Sequence, residues 1–482
     1  MPSRYSFLTL LFLTILSSPL VSDQSGSEPL PGKRIIFAGD IMLSRLVEQE
    51  MRLSGNDNQW RGMKSFFTSD SIIVGNLEGA VGSSGDCADG IPSNLCFPVL
   101  PIRIPYLKKA GFTALVNENN HALNLGNDGV RATIESLIEN DLIPIRFSNS
   151  PVFIKADDIT IGIVAYSVFP DEKRKRITAD SREMKRKMRL AAALSDVVAV
   201  YAHWGVEFRD WASPFMREEA KKLVESGADI ILGAHPHVII KPECVYGRPV
   251  FYSLGNHVFD QKYTAAKRGL LAVCDLNSDS REVACSATST SAKPNSGFPI
   301  IESFSPEENS DLMKCSFSMR SPIEINDIVL RAETLPSQPN EIVLEGWIKN
   351  KRLWRSSPSE IISLSSGRIS SLDDEILLFA VEKKPSRIDG EHAPRPYVYR
   401  ISKKRLDALW RGSALAWPLV DASVICSDSC FLCALHRGDS FLLSNPKNNQ
   451  FRLMTYSWNG FGFKSSMSEE FLSQCSDFFD VE

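Results

Sequence analysis

An excess of charge of either sign is missing from this sequence of 482 residues, in which 54 lysines and arginines stand against 58 aspartates and glutamates. The net charge of −4 provides no basic surface for phosphate backbones, which argues against nucleic acid as a partner. Hydrophobic residues make up 43% and charged residues 23%, the composition of a folded globular protein rather than a disordered one. A chain of this length predicts roughly two or three domains.

Long hydrophobic runs are also missing, apart from residues 7–20 near the amino terminus. Arg4 precedes this run and small residues surround Ser22, a pattern typical of a cleavable signal peptide over residues 1–22. The run is too short to cross a bilayer comfortably, but no alanine-type cleavage site follows it, so an uncleaved anchor remains the alternative. The sequence therefore predicts an exported protein, located in the periplasm or at the cell surface.

Ten cysteines are compatible with export, although their number alone does not establish disulfides. Cys87 and Cys96 enclose a loop with glycine and proline that a local disulfide could close. Cys426, Cys430 and Cys433 resemble half of a zinc ribbon. Because a structural zinc needs four ligands and no matching second pair follows, this segment does not indicate a zinc site.

Between residues 33 and 276, short runs of β-branched residues alternate with longer amphipathic segments. The segments DGVRATIESLIEND and SPFMREEAKKLVESGA are predicted helices, the second with Ser213 as N-cap before Pro214 and Gly227 as C-cap. Strands that are apolar throughout and separated by helices are typical of an α/β domain whose sheets are covered on both faces. The runs predicted to be strands are RIIFAGD, SIIVGNLEG, FTALVNENNH, DITIGIVAYS, DVVAVYAHWG, DIILGAHPH and PVFYSLGNHVFD.

The composition changes after this domain. Residues 277–310 are rich in Ser, Asn, Asp and Pro and are predicted to be a linker. Residues 311–482 contain short strand-like runs separated by turn residues, which predict a smaller β-rich domain of unknown role. The series ILLFAVEK, YVYRIS, LDALWRG weakly resembles the series CFLCALHR, SFLLSN, LMTYSWNG, as two copies of one β unit would. Such a repeat would suit a small sheet domain or a fragment of a propeller.

Polar side chains gather where the predicted strands of the α/β domain end. Because the carboxyl ends of the strands in an open α/β sheet share one edge, these side chains can converge although they are far apart in sequence. Their oxygens and nitrogens suit divalent Zn, Mn or Fe, and the set contains too little sulfur for a thiolate site. The residues are Asp40, Glu78, Asn120, His121, His203, His235 and His237.

Most of these residues have a simpler explanation when each is taken alone. Asp40 could cap the next helix, and Glu78 could be a loop charge that pairs with an arginine. The Asn-Asn-His stretch at 119–121 could be a polar turn, and His203 could be a satisfied interior histidine. Together they favour a metal centre, because all of them lie at strand ends within one domain.

The pair His235 and His237 flanks Pro236, whose fixed backbone would hold both rings in defined directions. The chain has only seven histidines, and five of them lie between residues 121 and 257. Histidine is therefore concentrated in the α/β domain, where a metal centre is expected.

The ordered motifs AGDIMLSR, GNLEG, NNHALNLG, HWGVEF, GAHPHVI and YSLGNHVFD resemble those of the CapA family, which is associated with poly-γ-glutamate capsule synthesis. The resemblance extends over residues 35–275, and the family looks like a branch of the calcineurin-like metallophosphoesterase superfamily. It implies a metallophosphoesterase-like sandwich of two sheets flanked by helices, with a site for two divalent metal ions. It makes His121 the proton donor or phosphate contact. The metal ligands that it implies are Asp40, Glu78, Asn120, His203, His235 and His237.

The function that this resemblance implies is a metal-dependent hydrolase or transferase acting on a phosphoester or amide bond. Its substrate and partner would be an anionic envelope polymer or its precursor, and membrane proteins of capsule synthesis are further implied partners. The alternative is a polymer-binding or assembly protein whose metal site positions the anionic chain without turnover. In a third interpretation, the C-terminal domain recognises the ligand and the α/β domain is a scaffold.

Several residues depart from the family's pattern. Asn117 and Glu118 stand where apolar residues usually precede the Asn-Asn-His motif, and Asn124 stands where an aspartate is common. If that carboxylate orients or charges His121, the amide would make the histidine a weaker acid. His257 replaces a typical aromatic residue and adds a potential ligand.

Three further residues lie beside the predicted ligands in sequence. Asn119 precedes the Asn-His pair, and Asn256 precedes His257. Glu207 follows His203 by four positions. It is either a partner of the ligands or the start of the next helix, and the sequence favours neither.

Overall fold

The structure is a computed structural model that describes residues 33–54, 60–64, 66–170, 176–292, 297–301, 313–368, 375–385, 392–412, 419–426, 430–437, 451–459, 462–466 and 468–479. The predicted signal peptide over residues 1–22 lies outside these ranges. Within them, no helix combines the length and the apolarity that crossing a membrane requires.

The described chain up to Ser318 contains nineteen strands and five α-helices. The strands are β1 (Lys33–Ile41), β2 (Ser71–Leu77), β3 (Ala80–Val81), β4 (Pro98–Val99), β5 (Ala114–Val116), β6 (Ile143–Ile145), β7 (Val152–Ala156), β8 (Ile159–Ser167), β9 (Val197–His203), β10 (Ile230–Ala234), β11 (Ile239–Ile240), β12 (Glu243–Val245), β13 (Arg248–Phe251), β14 (Ser253–Leu254), β15 (Asn256–Val258), β16 (Arg268–Asn277), β17 (Glu282–Ala292), β18 (Pro299–Ile301) and β19 (Lys314–Ser318). The helices are α1 (Arg45–Ser54), α2 (Ile104–Ala110), α3 (Gly126–Glu139), α4 (Arg182–Leu194) and α5 (Pro214–Glu225).

Two sheets contain most of these strands. The larger one has nine strands in the order β18-β17-β16-β1-β2-β5-β6, with β15 also paired to β1 and β19 to β17. The smaller one has six strands in the order β12-β13-β10-β9-β8-β7. Strands β1, β2, β5 and β6 are parallel, and so are β8, β9, β10 and β13. In each sheet the parallel strands therefore end at one common edge.

Strand β1 shows why the sequence of this region is apolar at consecutive positions. Ile35 and Phe37 lie in the core between the two sheets, whereas Ile36 and Ala38 lie in a second core beneath the helices. Because neighbouring side chains on a strand point to opposite faces, a strand covered on both faces must be apolar at every position. The predicted α/β sandwich of two sheets flanked by helices is confirmed.

Helix α5 begins as its sequence predicts and ends one residue earlier, with Ser226 in place of Gly227 at the C-cap. The Ser213 side chain accepts a hydrogen bond from the amide of Met216 at 3.2 Å, and Pro214 occupies the first helical position. Gly227, just after the last turn, has a φ of +99°, a left-handed conformation that glycine adopts without a steric cost.

The prediction of a linker over residues 277–310 is wrong where the structure describes it. Strand β17 pairs antiparallel with β16 along its whole length. Val283, Cys285 and Ala287 are buried between the sheets, while serines and threonines occupy most of the remaining positions. Small polar residues do not indicate a linker when every second residue is apolar, since a strand buries one face.

The predicted boundary at residue 311 also shifts. Strand β19 pairs with β17, so the α/β part continues to Ser318. Residues 302–312, which contain the end of the predicted linker, lie outside the described ranges.

Among the described residues, the C-terminal part contains three four-stranded sheets, each made of four consecutive antiparallel strands, and one helix. This confirms the predicted β-rich region, and the repeated four-stranded meander is the kind of unit that forms propeller blades. The elements are β20 (Glu324–Ile325), β21 (Ile328–Glu333), β22 (Val343–Ile348), β23 (Lys351–Arg355), β24 (Glu360–Gly367), β25 (Leu377–Pro385), β26 (His392–Ile401), β27 (Leu406–Arg411), β28 (Leu419–Cys426), β29 (Cys430–Arg437), β30 (Phe451–Trp458), β31 (Phe463–Ser466) and α6 (Glu469–Phe479).

The two predicted copies of a β unit fall in the second and third of these sheets, but their strands are not equivalent. The last segment is the fourth strand of its sheet in the first copy and the third strand in the second copy. The first copy is β25, β26 and β27, and the second contains β29 and β30. Its middle segment, SFLLSN, lies outside the described residues. The α/β part and the first two C-terminal sheets share a core, in which Leu190 and Leu194 of α4 join Phe153, Leu330 and Ile361.

Disulfides connect eight of the ten cysteines within the described residues. The predicted local bridge between Cys87 and Cys96 is confirmed. Cys433 is bonded to Cys475 of α6, and the side chains of Cys426 and Cys430 lie outside the description. The remaining pairs are Cys244–Cys315 and Cys274–Cys285.

Candidate metal centre

The polar residues predicted at the strand ends come together where the two sheets meet. Asp40 lies at the end of β1 and Glu78 directly after β2, both in the larger sheet. His203 is the last residue of β9, and the histidine pair follows β10, both in the smaller sheet. The common edge of the parallel strands thus positions side chains that are distant in sequence.

A first group consists of Asp40, Glu78 and His237, whose ligand atoms lie within 4.8 Å of one another. The Nδ1 atom of His237 is 3.2 Å from Oδ2 of Asp40, and its Nε2 atom is 3.5 Å from Oε1 of Glu78. All three side chains are almost fully buried. Two carboxylates and an imidazole held this closely form a ligand set for a divalent cation.

A second group shares His237 and adds His235 and Glu207, again with ligand atoms within 4.8 Å of one another. Glu207 is exposed, so it closes the group from the solvent side. The ring of His203 lies 5.0 Å from that of His235, and its Nε2 atom lies 2.8 Å from Oδ1 of Asn120. The two groups contain Glu207 and four of the six predicted ligands, Asp40, Glu78, His235 and His237. His203 and Asn120 lie beside the second group without belonging to it.

The backbone around Pro236 is left-handed at both histidines, with φ of +95° at His235 and +58° at His237. Such a conformation costs about 1–3 kcal/mol at each residue that is not glycine, and it persists only where surrounding contacts enforce it. One of these contacts is the hydrogen bond that the His235 amide donates to Oδ2 of Asp40 at 3.2 Å. The strained turn therefore fixes both rings against the first group.

Several buried atoms of the site have no hydrogen-bond partner among the described residues. They include both carboxylate oxygens of Glu78 and the Nδ1 atoms of His203 and His235. Leaving such atoms unsatisfied is costly, and buried polar groups are paired in most proteins. Lone pairs that face a common space without donors fit a cation, so the residues present suit the metal that the fold implies.

The electrostatics of the site follow from its burial. Desolvation raises the pKa of Glu78, and it lowers the pKa of His203 well below its ordinary value. Burial also lowers the pKa of His235 to about 3, which keeps its ring neutral and able to bind a metal. His237 differs, because the charges of Glu78 and Asp40 outweigh burial and raise its pKa.

His121 lies beside the first group, with Nε2 3.6 Å from Oε1 of Glu78. Its ring stacks on Phe97 at 4.0 Å, and desolvation lowers its pKa to about 4. Its Nδ1 atom lies 3.0 Å from Oδ1 of Asn124, which also accepts a hydrogen bond from the Phe97 amide at 2.9 Å. Asn124 thus takes the place of the expected aspartate and orients His121 without adding a charge.

Asparagine side chains form hydrogen bonds to the candidate ligands and to one another. Asn76, which the sequence analysis did not single out although it lies in GNLEG, donates to Oδ1 of Asp40 at 2.8 Å. Asn119 donates to Oδ1 of Asn76 at 3.1 Å and accepts a hydrogen bond from the His121 amide at 3.1 Å. Asn256 accepts from Nδ1 of His237 at 2.9 Å. These amides fix the directions of the Asp40 carboxylate and of the His237 ring, and Asn119 holds the backbone at His121.

The two polar residues that stand before the Asn-Asn-His motif, where apolar residues are usual, form hydrogen bonds that hold the surrounding backbone. Asn117 is buried and donates to the carbonyl oxygens of Leu77 at 2.9 Å and Gly79 at 2.8 Å. Glu118 is buried too, and it accepts a hydrogen bond from the Phe147 amide at 3.0 Å. Both side chains therefore hold the loop that carries His121, and neither departure removes a ligand.

His257 does not belong to the site, although its sequence position suggested a potential ligand. It follows Asn256 on β15, and neighbouring side chains on a strand point to opposite faces. Its Nε2 atom accepts a hydrogen bond from Trp60 at 3.3 Å, and its ring stacks on Phe67 at 5.8 Å beneath the helices.

Arg45 is a second residue that the sequence analysis missed. Its guanidinium lies 4.8 Å from the centre of the Phe97 ring, and Phe97 in turn covers His121. Arg45 forms an ion pair with Asp260, and its side chain remains 31% exposed. Its charge also favours the ionised form of Glu78. An exposed cation thus stands beside the candidate metal ligands.

Residues 34–261 match the family described as "Bacterial capsule synthesis protein PGA_cap". Over 249 residues, 49% of the chain, the sequence is 28% identical to the PGA biosynthesis protein CapA of Bacillus subtilis (strain 168), and the match covers 65% of that protein. Over 263 residues, also 49% of the chain, it is 29% identical to the capsule biosynthesis protein CapA of Bacillus anthracis, covering 62% of it. A probable polyglutamine synthesis accessory protein of Mycobacterium tuberculosis is 25% identical over 217 residues, which cover 40% of the chain and 57% of that protein. The chain thus spans less than two thirds of the length of these relatives.

The family match begins in β1 and ends just after β15, so it contains every residue of both candidate metal-binding groups. The C-terminal sheets lie outside it. Residues 34–261 therefore form a domain of the PGA_cap family, which belongs to the metallophosphoesterase-like superfamily.

Proposed function

We propose that this chain is an exported CapA-like protein of capsule, poly-γ-glutamate or other envelope-polymer biosynthesis. Its site would be that of a dinuclear-metal hydrolase or transferase acting on a phosphoester or amide bond. The observation that carries the proposal is the buried Glu78 carboxylate, which accepts no hydrogen bond among the described residues and faces two histidines. The relatives' names, PGA biosynthesis and capsule biosynthesis, supply the class of polymer.

Two divalent ions, of Mn, Zn or Fe, suit the nitrogens and oxygens that converge here. When bound, such ions polarise a phosphoryl or carbonyl oxygen of a substrate. The residues that would hold them are Asp40, Glu78 and His237 in the first group, and Asn120, His203, His235 and Glu207 around the second.

The hydrogen-bond network sets the part that His121 would play. Because the Phe97 amide donates to Oδ1 of Asn124, the same oxygen must accept from Nδ1 of His121. The Nε2 atom of a neutral His121 then carries a lone pair that faces the site. In this state His121 would accept a proton or a hydrogen bond from a substrate, which differs from the proton donor implied by the family resemblance.

Arg45 would bind a charged group of the substrate at the edge of the site. Its guanidinium offers several donors in one plane, the geometry that matches a carboxylate or a phosphate. The ion pair with Asp260 and the contact with Phe97 hold this plane in position. A polymer that carries an anion on each unit would place one beside the reacting bond.

A second candidate function is a metal-containing protein that binds and positions the polymer without turnover. Asn124 favours it, because an amide beside Nδ1 of His121 cannot stabilise the imidazolium as a carboxylate would. The ligand groups are intact under both functions, so metal binding alone does not separate them.

Export is part of the proposal. The hydrophobic segment at residues 7–20 and the disulfides of the described residues support it, because disulfides persist in oxidising compartments. The protein would then work in the periplasm or at the cell surface. Its partners would be an anionic envelope polymer or its precursor and, beside it, membrane proteins of capsule synthesis.

Metal analysis of the full chain, combined with turnover assays on p-nitrophenyl phosphate and poly-γ-glutamate, tests the proposal. We expect about two metal ions per chain and metal-dependent turnover. Both should be lost in His235→Ala and kept in His392→Ala, a matched control because His392 is exposed on β26.

Three outcomes separate the candidates. A chain without stoichiometric metal would overturn both functions. Bound metal without turnover, together with polymer binding that His235→Ala abolishes, would establish the second function in place of the first. Metal-dependent hydrolysis that His121→Ala abolishes would establish the enzyme.

A further inference from the structure

A cleft of about 520 Å³ lies in the C-terminal part, between the first sheet (β20–β23) and the second (β24–β27). Its size falls within the range of small-molecule and cofactor sites, about 300–1,000 Å³. None of its lining residues belongs to the candidate metal centre. It is therefore a separate concave surface in the part of the chain that the family match leaves out.

Four cationic side chains line the cleft, and they come from separate points of the two sheets. Arg355 ends β23, Lys384 lies near the end of β25, Arg405 precedes β27 and Arg411 ends β27. Arg355 also contacts Glu333 and Glu345, and Arg405 contacts Asp407, all of them carboxylates outside the lining. Arg411 forms no ion pair within the described residues. The positive charge is thus spread along the opening instead of being gathered at one point.

Glu382 is the single acidic residue among those that line the cleft. It is buried, and its carboxylate accepts hydrogen bonds from the Ser359 hydroxyl and the Tyr399 hydroxyl, each at 2.5 Å. The ammonium of Lys384 lies 3.4 Å away. These contacts hold the Glu382 carboxylate in the wall of the cleft. The four cationic side chains therefore outnumber the carboxylates among the lining residues.

The walls between the cations are aromatic and well fixed. The rings of Tyr397 and Tyr399 stack at 5.7 Å with only 7° between their planes. The Trp354 indole donates to the carbonyl oxygen of Ser402 at 2.9 Å. A Cβ atom on Gly346 would lie 2.3 Å from this indole, so the glycine leaves the space in which the ring lies flat on the sheet. Apolar faces held in this way contact methylene groups at little entropic cost.

We propose that this cleft binds a short segment of a polymeric acidic peptide, a chain with one carboxylate per unit separated by apolar methylenes. The separated cations match repeated carboxylates, and the aromatic walls match the spacers between them. The choice of a peptide over an acidic polysaccharide rests on the proposed function, in which poly-γ-glutamate is one of the polymers, as the name PGA biosynthesis protein of one relative suggests. The cleft would hold the polymer while the metal centre acts on it or positions it.

The test measures binding of a short synthetic γ-linked glutamate oligomer to the full chain by calorimetry. Excess EDTA removes metal ions, so that metal-dependent binding at the candidate metal centre does not contribute to the measured affinity. We expect Arg411→Gln and the double variant Arg411→Gln with Lys384→Gln to weaken binding about tenfold or more, because each loses a charge-assisted contact. Lys404→Gln removes the same charge from the neighbouring exposed turn and should change the dissociation constant less than about twofold.

The outcomes distinguish this inference from the proposed function. Binding that persists in EDTA and weakens in the Arg411 variants supports the cleft, whatever the metal centre does. Binding that EDTA abolishes and Arg411→Gln leaves unchanged overturns the cleft and leaves the proposed function standing. A γ-linked oligomer that binds no better than neutral dextran, or more weakly than an acidic polysaccharide, also overturns the inference. Arg405→Gln provides a second variant and should also weaken binding, and we expect it to fold because its side chain is 76% exposed.

Discussion

The Nδ1 atom of His237 lies 2.9 Å from Oδ1 of Asn256, and its Nε2 atom faces Oε1 of Glu78 at 3.5 Å. The amide nitrogen of Asn256 donates to the carbonyl oxygen of Ala266 at 2.7 Å, which fixes the amide so that its oxygen accepts from the ring. One nitrogen of His237 is therefore protonated and the other is available to a metal. Since His237 belongs to both ligand groups, this one hydrogen bond orients the centre of the site.

Replacing Asn256 by alanine should weaken metal binding without removing a ligand. We expect a loss of about 10–100-fold in metal affinity, the usual cost of removing such a supporting partner. Titration of the metal-free chain with Mn²⁺ and Zn²⁺ measures it. Asn350→Ala, in the exposed turn between β22 and β23, is the matched control. Unchanged affinity in Asn256→Ala would show that the His237 ring is held by other contacts.

Replacing Glu78 by glutamine should separate two effects of its carboxylate. One is the loss of stability that its burial causes in the metal-free protein, and the other is its contribution to metal binding. Burial raises the pKa of Glu78 in the folded state above its value in the unfolded chain. Its carboxylate therefore destabilises the metal-free fold increasingly as the pH rises above about 4.5. We expect metal-free Glu78→Gln to be at least as stable as the parent at neutral pH.

The same variant should lose the rise in melting temperature that added metal produces, because a ligand that binds only the folded state stabilises it by mass action. Thermal unfolding with EDTA and with excess metal, on the parent and on Glu78→Gln, gives both quantities. A variant that is clearly less stable than the parent in EDTA, or that keeps the full metal-induced rise, would contradict the assignment of Glu78.

Most candidate ligands could be predicted from the sequence because they end or directly follow an apolar run that is typical of a buried strand. Asp40 and His203 illustrate this, since the parallel arrangement brings the ends of β1 and β9 to one edge. Which of two neighbours faces the site could not be predicted in the same way. Asn256 faces His237 and His257 faces Trp60, a difference set by the strand's orientation in the sheet.

The residues that hydrogen-bond to the candidate ligands or lie beside them could not be predicted from the sequence either. Asn76 and Arg45 both lie in motifs that the sequence analysis quoted, but their partners Asp40 and Asp260 are brought near only by the fold. The strand at Glu282–Ala292 was missed for a different reason. Its apolar residues are small and stand among serines and threonines, so the alternation of buried and exposed residues is weak in the sequence. The pairing with β16 makes this alternation evident.

Replacing Asn124 by aspartate should strengthen His121 as an acid. The new carboxylate would lie beside Nδ1, where Oδ1 of Asn124 now lies at 3.0 Å, and the Phe97 amide would still have an acceptor. An adjacent negative charge typically raises the pKa of a histidine by about 1–3 units, so we expect an increase above the present value of about 4. NMR titration of labelled histidine in the metal-free chain measures the shift.

Asn124→Ala serves as the comparison for that variant, because it removes the acceptor without adding charge. If the enzyme interpretation is correct, Asn124→Asp should also extend activity to higher pH, whereas Asn124→Ala should not. A His121 ring that titrates identically in Asn124→Asp and in the parent would show that Phe97 and burial alone fix its protonation.

Lys187 of α4 makes the stability of the fold depend on alkaline pH. It is buried, it donates to the carbonyl oxygen of Ser150 at 2.7 Å, and desolvation lowers its pKa to about 8. Between this value and the unfolded value of about 10.5, the unfolded chain binds more protons than the folded one, so the free energy of unfolding gains a contribution that rises with pH. We expect this contribution to reach about 1.4 kcal/mol per pH unit and to be absent in Lys187→Met.

Urea unfolding of the parent, Lys187→Met and the exposed control Lys221→Met between about pH 7 and about pH 10 measures this contribution. Parallel pH profiles for the parent and Lys187→Met would show that the Lys187 ammonium stays solvated in the folded chain.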